Sequence, residues 1–197
     1  KSLFLFIQPV IMPQNNFMQS EQIIIFPTER LNLIPMNLQL IRAELKSSAL
    51  LASLLNAEIS QEWPPGDYDI NAQLYFLDQL EKHGDELNGW LNWYAVTKQT
   101  INQPSRLIAA GGFMGAPSED GEVEIGYSVI KSYRNKGYAT ELIQGLINIA
   151  CRDKRVRKII AKTTENNSAS QAVLEKLKFI NTGTKDPDNN RVYRLIL

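Results

Sequence analysis

Between Glu122 and Ala150 the chain changes its period once, and that change orders a strand, a basic turn and a helix in succession. Val123 to Ile130 alternates as a half-buried strand does. From Gly137 onward Ala139, Leu142, Ile143, Leu146, Ile147 and Ala150 fall on one helical stripe. The turn between them brings Arg134 and Lys136 to the start of the helix, where unpaired N–H groups and the positive end of the dipole already favour an anion. Gly137 lets oxygen atoms come close to that backbone, so the stretch reads as an anion cradle. No Gly-Lys-Ser/Thr follows the turn and no Gly-x-Gly-x-x-Gly is present there, which removes the P-loop and the dinucleotide signature.

The remaining elements are ordered around this unit. Leu31 to Ile34 reads as a first strand stopped by Pro35, with Ile23 to Phe26 as an earlier edge strand. Residues 37 to 57 read as one or two helices, broken by Trp63-Pro64-Pro65-Gly66-Asp67, and a further helix is predicted over Ile70 to Lys82. Trp90 to Thr97, Leu107 to Met114 and Val123 to Ile130 follow as three antiparallel strands. After the helix beginning at Gly137 come a strand at Lys158 to Thr163, a helix from Ser168 to Leu177, and strands near Phe179 to Thr182 and Val192 to Leu197. The class is α+β, and 197 residues suffice for one sizeable core. The domain is expected over residues 28 to 197, with 1 to 27 as an N-terminal extension.

Charge and composition exclude several functions. Lys plus Arg and Asp plus Glu both number 21, so no polyanion is favoured and nucleic acid is not expected as a partner. One Cys and one His leave no cluster for a metal and no Cys-His pair, so no metal is expected. Cys151, near a helix end, reads as a small buried apolar residue, and His83 as part of an exposed helix end. The apolar run Leu3 to Ile7 is far shorter than a membrane span and lacks a small-residue cleavage signal, so the expectation is a cytoplasmic protein without a membrane role.

Arg134-Asn135-Lys136-Gly137-Tyr138-Ala139 fits Arg/Gln-x-x-Gly-x-Gly/Ala, and Asn167-Ser168-Ala169-Ser170 followed by Val173 to Phe179 stands where the second half of the same pattern has an Asn on a strand-to-helix connection and ends near Gly-Phe. On these motifs the chain resembles the GNAT superfamily of acyl-coenzyme A dependent N-acetyltransferases. Thr28-Glu29-Arg30-Leu31-Asn32-Leu33 looks like the opening of the branch that acetylates the amino termini of ribosomal proteins, and the resemblance covers roughly residues 28 to 197.

The resemblance implies a twisted mixed sheet of about seven strands flanked by helices in three α/β/α layers, with acetyl-coenzyme A in a gap between two parallel strands. It implies cofactor-binding residues Ser132, Arg134, Asn135, Lys136, Gly137, Tyr138, Ala139 and Thr140, with Asn167 and Ser170 toward the pantetheine arm. Glu122 and Glu124 share a strand face, and Glu124 is preferred as the group that takes the proton from the acceptor. Both are also read as solvated carboxylates at a hairpin end. The usual Tyr donor is replaced by Leu174, which leaves Ser170 to serve the departing sulfur or only the helix start. Lys178 stands where the family has Gly, and a left-handed conformation there would cost about 1 kcal/mol.

The implied acceptor is a primary amine, either a protein amino terminus or a small molecule, handled by a monomer or homodimer. Trp63 and Tyr68 are candidates for acceptor recognition, and Glu58, Glu62, Asp67 and Asp69 for an acidic cleft beside them. The departures at Leu174 and Lys178 keep a second reading open, a coenzyme A binding module without chemistry.

Overall fold

The structure is a computed structural model that describes residues 10–11 and 23–197. Ten strands occur among them: β1 (Val10–Ile11), β2 (Ile24–Pro27), β3 (Leu31–Pro35), β4 (Glu58–Ile59), β5 (Asn92–Thr97), β6 (Arg106–Phe113), β7 (Glu122–Val129), β8 (Lys158–Thr163), β9 (Ile180–Lys185) and β10 (Arg191–Ile196). Five helices join them: α1 (Leu38–Lys46), α2 (Ser48–Leu55), α3 (Ile70–His83), α4 (Tyr138–Ala150) and α5 (Ser168–Lys176). The count exceeds the expected seven mainly because β1 and β4 are two-residue strands, too short to leave a periodic trace. Of the expected extension, β2 belongs to the sheet through its antiparallel pairing with β3; apart from β1 and Ile23 the rest lies outside the described residues.

Helix starts follow the side chains available to cap them. Asn37 accepts from the Leu40 N–H at 2.9 Å, Ser47 caps α2, Asp69 accepts from Asn71 and Ala72, and Asn167 accepts from the Ser170 N–H at 3.1 Å. The sheet runs β1-β2-β3-β5-β6-β7-β8-β10-β9, with β4 added to β6. Its pairs are antiparallel except β7 with β8 and β4 with β6.

Alternation along the strands supplies two cores. Leu31, Leu33, Trp93 and Ala95 face one side and pack with Leu142, Ile143 and Leu146 of α4 and Leu174 of α5. Ile34, Tyr94 and Val96 face the other and pack with Ile41, Leu51 and Phe76 from α1, α2 and α3. The result is three layers, helices on both faces of one twisted sheet. Trp93 and Tyr94 are thus core residues, as is Leu174, which is fully buried.

Two local outcomes differ in kind. Cys151 is exposed, contrary to expectation, because Leu146, Ile147 and Ala150 take the inward positions of α4 and leave its C-cap outside. Lys178 does adopt φ 68°, in the left-handed turn that closes α5, where the Phe179 N–H donates to the Leu174 carbonyl at 3.0 Å. Lys178→Gly is therefore expected to raise stability by about 1 kcal/mol, read as a rise in the melting temperature of about 2–4 °C.

The feature that positions the site is the parting of the two parallel strands. β7 pairs with β8 from Glu122↔Lys158 to Ile125↔Ala161 and no further. Beyond Ile125, β7 continues to Val129 on β6 alone, while Lys162 and Thr163 of β8 pair with β10. A gap opens between Gly126 and Thr163.

Candidate active site

At its far end β7 runs into a short 3₁₀ turn, Lys131–Tyr133, and then into the N-terminus of α4. Asn135 and Gly137 both adopt left-handed conformations, with φ 59° and 81°. The Glu141 N–H donates to the Gly137 carbonyl at 3.1 Å as the first bond of the helix, which leaves the N–H groups of Tyr138, Ala139 and Thr140 without helical partners. Lys136 Nζ donates to the Ser132 carbonyl at 2.8 Å, and Arg134 Nε to the Val129 carbonyl at 2.9 Å. Both cations are thereby folded back on the turn. The Ser132 N–H is already committed, donating to the Glu62 carboxylate at 2.9 Å.

A network that the sequence did not suggest clamps this turn to the start of β3. Glu141, in the first turn of α4, accepts from Thr28 Oγ1, from the Arg30 N–H and from Arg30 Nε, each at 2.6 Å. Burial works against its charge, but these donors together outweigh it and hold the carboxyl below its ordinary value. Arg30 also donates to the Lys136 carbonyl at 2.9 Å and stacks on the Tyr138 ring at 4.3 Å.

The gap between β7 and β8 forms a cleft of about 610 Å³. Asn167 and Ser170 of the α5 start reach it, and so do Tyr127 and Ser128 of β7. The Ser170 hydroxyl and the Tyr127 phenol are 2.9 Å apart and share a hydrogen bond. Burial raises the Tyr127 phenol above its ordinary value, against the pull of the Ser170 bond, so the group keeps its proton at neutral pH. Sequence reasoning missed Tyr127. The available signal was parity, since Tyr127 shares the α4/α5 side of β7 with Val123 and Ile125, while Glu122 and Glu124 point to the opposite side.

Glu122 and Glu124 stand at the other end of β7, where it is still paired with β8. Glu124 forms an ion pair with Lys162 at 2.8 Å, and Glu122 one with Lys158 at 3.2 Å. Lys162 lines the cleft; neither carboxylate does. The predicted residues thus fall in three groups along one strand: the carboxylates, then Ser170 and Asn167 at the gap, then Ser132 to Thr140 at the turn.

The opposite wall rests on a carboxylate from α1. Glu44 accepts from Trp63 Nε1 at 2.7 Å, Gln73 Nε2 at 3.0 Å, Tyr68 Oη at 2.7 Å and Tyr94 Oη at 2.5 Å. The polar groups of Trp63 and Tyr68 are therefore occupied within the fold. Of the four acidic candidates around Trp63, Glu58 pairs with Arg106, Glu62 caps the basic turn, Asp69 caps α3, and Asp67 lines the cleft. Among the described residues no group of three or more His, Cys, Asp or Glu is arranged to hold a metal ion, and no helix is long and apolar enough to cross a membrane.

Comparison with known proteins bears on this arrangement. The acetyltransferase (GNAT) domain family matches residues 37–180. An uncharacterized N-acetyltransferase of Bacillus subtilis (strain 168), YjdG, is 35% identical over 157 residues, spanning 80% of this chain and 90% of its own. An uncharacterized N-acetyltransferase of Bacillus licheniformis, p20, is 29% identical over 107 residues, or 54% of this chain and 58% of its own. The solved structure of RimL, a ribosomal α-N-protein acetyltransferase, shares the fold with a TM-score of 0.60 at 18% identity, over 95% of this chain and 100% of that one. The microcin self-immunity acetyltransferase MccE, solved with acetyl-CoA and AMP, does so with a TM-score of 0.56 at 14% identity, over 86% and 94%. A strand that leaves its parallel neighbour beside an open helix N-terminus, a domain match over most of the length and a 35% identical relative agree: the chain belongs to the GNAT family of acetyltransferases.

Proposed function

We propose that the protein moves an acetyl group from acetyl-coenzyme A directly to a primary amine, of a protein amino terminus or of a small molecule, in the cytoplasm. The observation that carries this is the Ser170–Tyr127 pair at the mouth of the gap, on the strand that leads to the open N-terminus of α4.

Acetyl-coenzyme A supplies an activated thioester whose thiolate must be protonated as it leaves. The N–H groups of Tyr138, Ala139 and Thr140, with Asn135 and Gly137 shaping the approach, suit a pyrophosphate, and no side chain at Gly137 intrudes. Lys136 and Arg134 bring positive charge to the same turn. The edge of β7 from Gly126 to Val129, free of β8, leaves room for an extended arm between the strands. Asn167 fixes the first turn of α5 and so aims Ser170. As the C–S bond breaks Ser170 donates its proton to the sulfur and takes one from the Tyr127 phenol, which recovers its own from water in the open cleft. Glu124 does not itself line the cleft but is ion-paired at 2.8 Å with Lys162, which does, and it takes the proton from the acceptor through water; Glu122, paired further back, serves the sheet.

Thiol release from acetyl-coenzyme A, measured against amino-terminal peptides, polyamines and amino sugars, tests this. Ser170→Ala and Tyr127→Phe are each expected to lower kcat by about tenfold, with Glu124→Gln abolishing acceptor-dependent release. Tight coenzyme A binding with no release on any amine would instead favour the binding module.

A further inference from the structure

The loop from Ser60 to Tyr68, between β4 and α3, touches both halves of the site. Glu62 accepts from the Ser132 N–H at 2.9 Å, across 70 residues, which ties the loop to the turn before α4. That bond, with the charges of Lys131 and Arg134, holds the Glu62 carboxyl below its ordinary value and keeps it an ionised acceptor at neutral pH. Further along, Gly66 lies directly on β7: a Cβ there would be 2.4 Å from Ser128 Oγ and 3.8 Å from Arg134 Nη2. The loop is thus seated on the part of β7 that β8 has left, and on the basic turn that follows it.

The residues that follow, Asp67 and Tyr68, line the cleft. The Tyr68 phenol is committed to Glu44, whereas Asp67 is exposed and is the acidic side chain of the cleft lining. Glu58, Glu62 and Asp69 have partners, but among the described residues no hydrogen bond or ion pair engages the Asp67 carboxylate. Lys162, the basic side chain of the lining, is held by Glu124. An alkyl amine arrives at neutral pH as its ammonium ion, and Asp67 is the uncommitted charge in the cleft that attracts it.

We propose that Asp67 binds the incoming acceptor as an ammonium ion, and that Glu62 is the positioning residue that sets Asp67 at the cleft by latching the loop to the turn before α4. Pro64 and Pro65 stiffen the short chain between the two carboxylates, and Gly66 rests on β7, so release of the latch is felt at Asp67. The loop thereby gives the turn that suits the cofactor and the carboxylate that meets the acceptor one common support. This rests on the acetyl-transfer reading above and adds to it the charge state in which the acceptor is first bound.

The test measures kcat and the KM values for amine and acetyl-coenzyme A in wild type, Glu62→Ala, Glu62→Gln, Asp67→Asn and the double variant of Glu62→Ala with Asp67→Asn. The amine is whichever of an alanyl peptide, spermidine and glucosamine wild type acetylates best. Asp67→Asn is expected to raise the amine KM about tenfold and to remove most of its dependence on salt. Glu62→Ala should raise it about fivefold, and Glu62→Gln, which keeps an acceptor for the Ser132 N–H, by less than about twofold. Because Glu62 acts through Asp67, the double variant should be no weaker than Asp67→Asn alone. The acetyl-coenzyme A KM and kcat should stay within about twofold, the split that marks lost acceptor binding rather than a damaged fold. Losses that multiply in the double variant, an equal rise in the acetyl-coenzyme A KM, or an amine KM unmoved by Asp67→Asn would overturn the inference. So would tighter coenzyme A binding by Glu62→Ala, which would make the carboxylate a rival of the phosphates. Wild type that binds coenzyme A but acetylates none of the three amines overturns the transfer reading and this one with it, whereas transfer without the expected pattern among the variants overturns only the roles of Asp67 and Glu62.

Discussion

Glu44→Ala is expected to destabilise the protein by about 3 kcal/mol and lower its melting temperature by about 6–12 °C. The residue sits on α1, yet its two oxygens hold four donors from three other parts of the chain: the loop with Trp63 and Tyr68, Gln73 of α3, and Tyr94 of β5. Tyr94 is fully buried, and Tyr68 and Gln73 nearly so, so the loss leaves polar atoms that water cannot reach. Glu44→Gln keeps an acceptor oxygen and offers its amide to the tyrosine oxygens, and should recover most of the loss.

The same residue fixes the sign of a pH effect. Burial raises the Glu44 carboxyl above its ordinary value of 4.5, although all four hydrogen bonds pull it down. With the folded value above the unfolded one, folding takes up a proton between the two, and stability falls as pH rises through that window. Its contribution is fully present below the unfolded value and lost above the folded one. Urea titrations across the window should show this slope reduced in Glu44→Gln, and an unchanged slope would trace it to other groups.

Much of the fold was legible because it is written in local pattern. Helical spacing placed helices over residues 37 to 57, 70 to 82 and 168 to 177, the strands at Leu31 to Ile34 and Trp90 to Thr97 were read from their patterns, and the left-handed turn at Lys178 followed from the resemblance, since Lys178 stands where the family has Gly. The basic turn before α4 was readable for the same reason: strand, charges and helix start are contiguous. What stayed hidden joins residues far apart in sequence. Tyr127 and Ser170 are 43 residues apart and meet only because β7 and β8 separate after Ile125. Glu62 reaches the Ser132 N–H across 70 residues, and Glu141 reaches Arg30 across 111. No periodicity encodes such meetings. Parity could place Glu122 and Glu124 on one face, but could not show that two lysines four residues apart on β8, Lys158 and Lys162, would pair with them.

The turn before α4 carries the other large effect. Gly137→Val is expected to weaken coenzyme A binding about a hundredfold, equivalent to roughly 2.8 kcal/mol, in a calorimetric titration. At φ 81° a β-branched residue is strained by about 1–2 kcal/mol, and the relaxation that relieves it turns the N–H groups at the helix start away from a common point. A Cβ at Gly137 would lie 3.4 Å from Arg30 Nη2, which space allows, but valine's two further carbons extend into the approach to the backbone. Gly137→Ala separates the two causes: it keeps the strain without the bulk, and an intermediate loss of about tenfold is expected. Lys136→Ala removes charge while leaving φ at Gly137 alone, and its loss should shrink with added salt, whereas that of Gly137→Val should not. If Gly137→Val bound coenzyme A as tightly as wild type while remaining folded, the phosphates would have to be held elsewhere, and the open N–H groups of α4 would be an ordinary helix start.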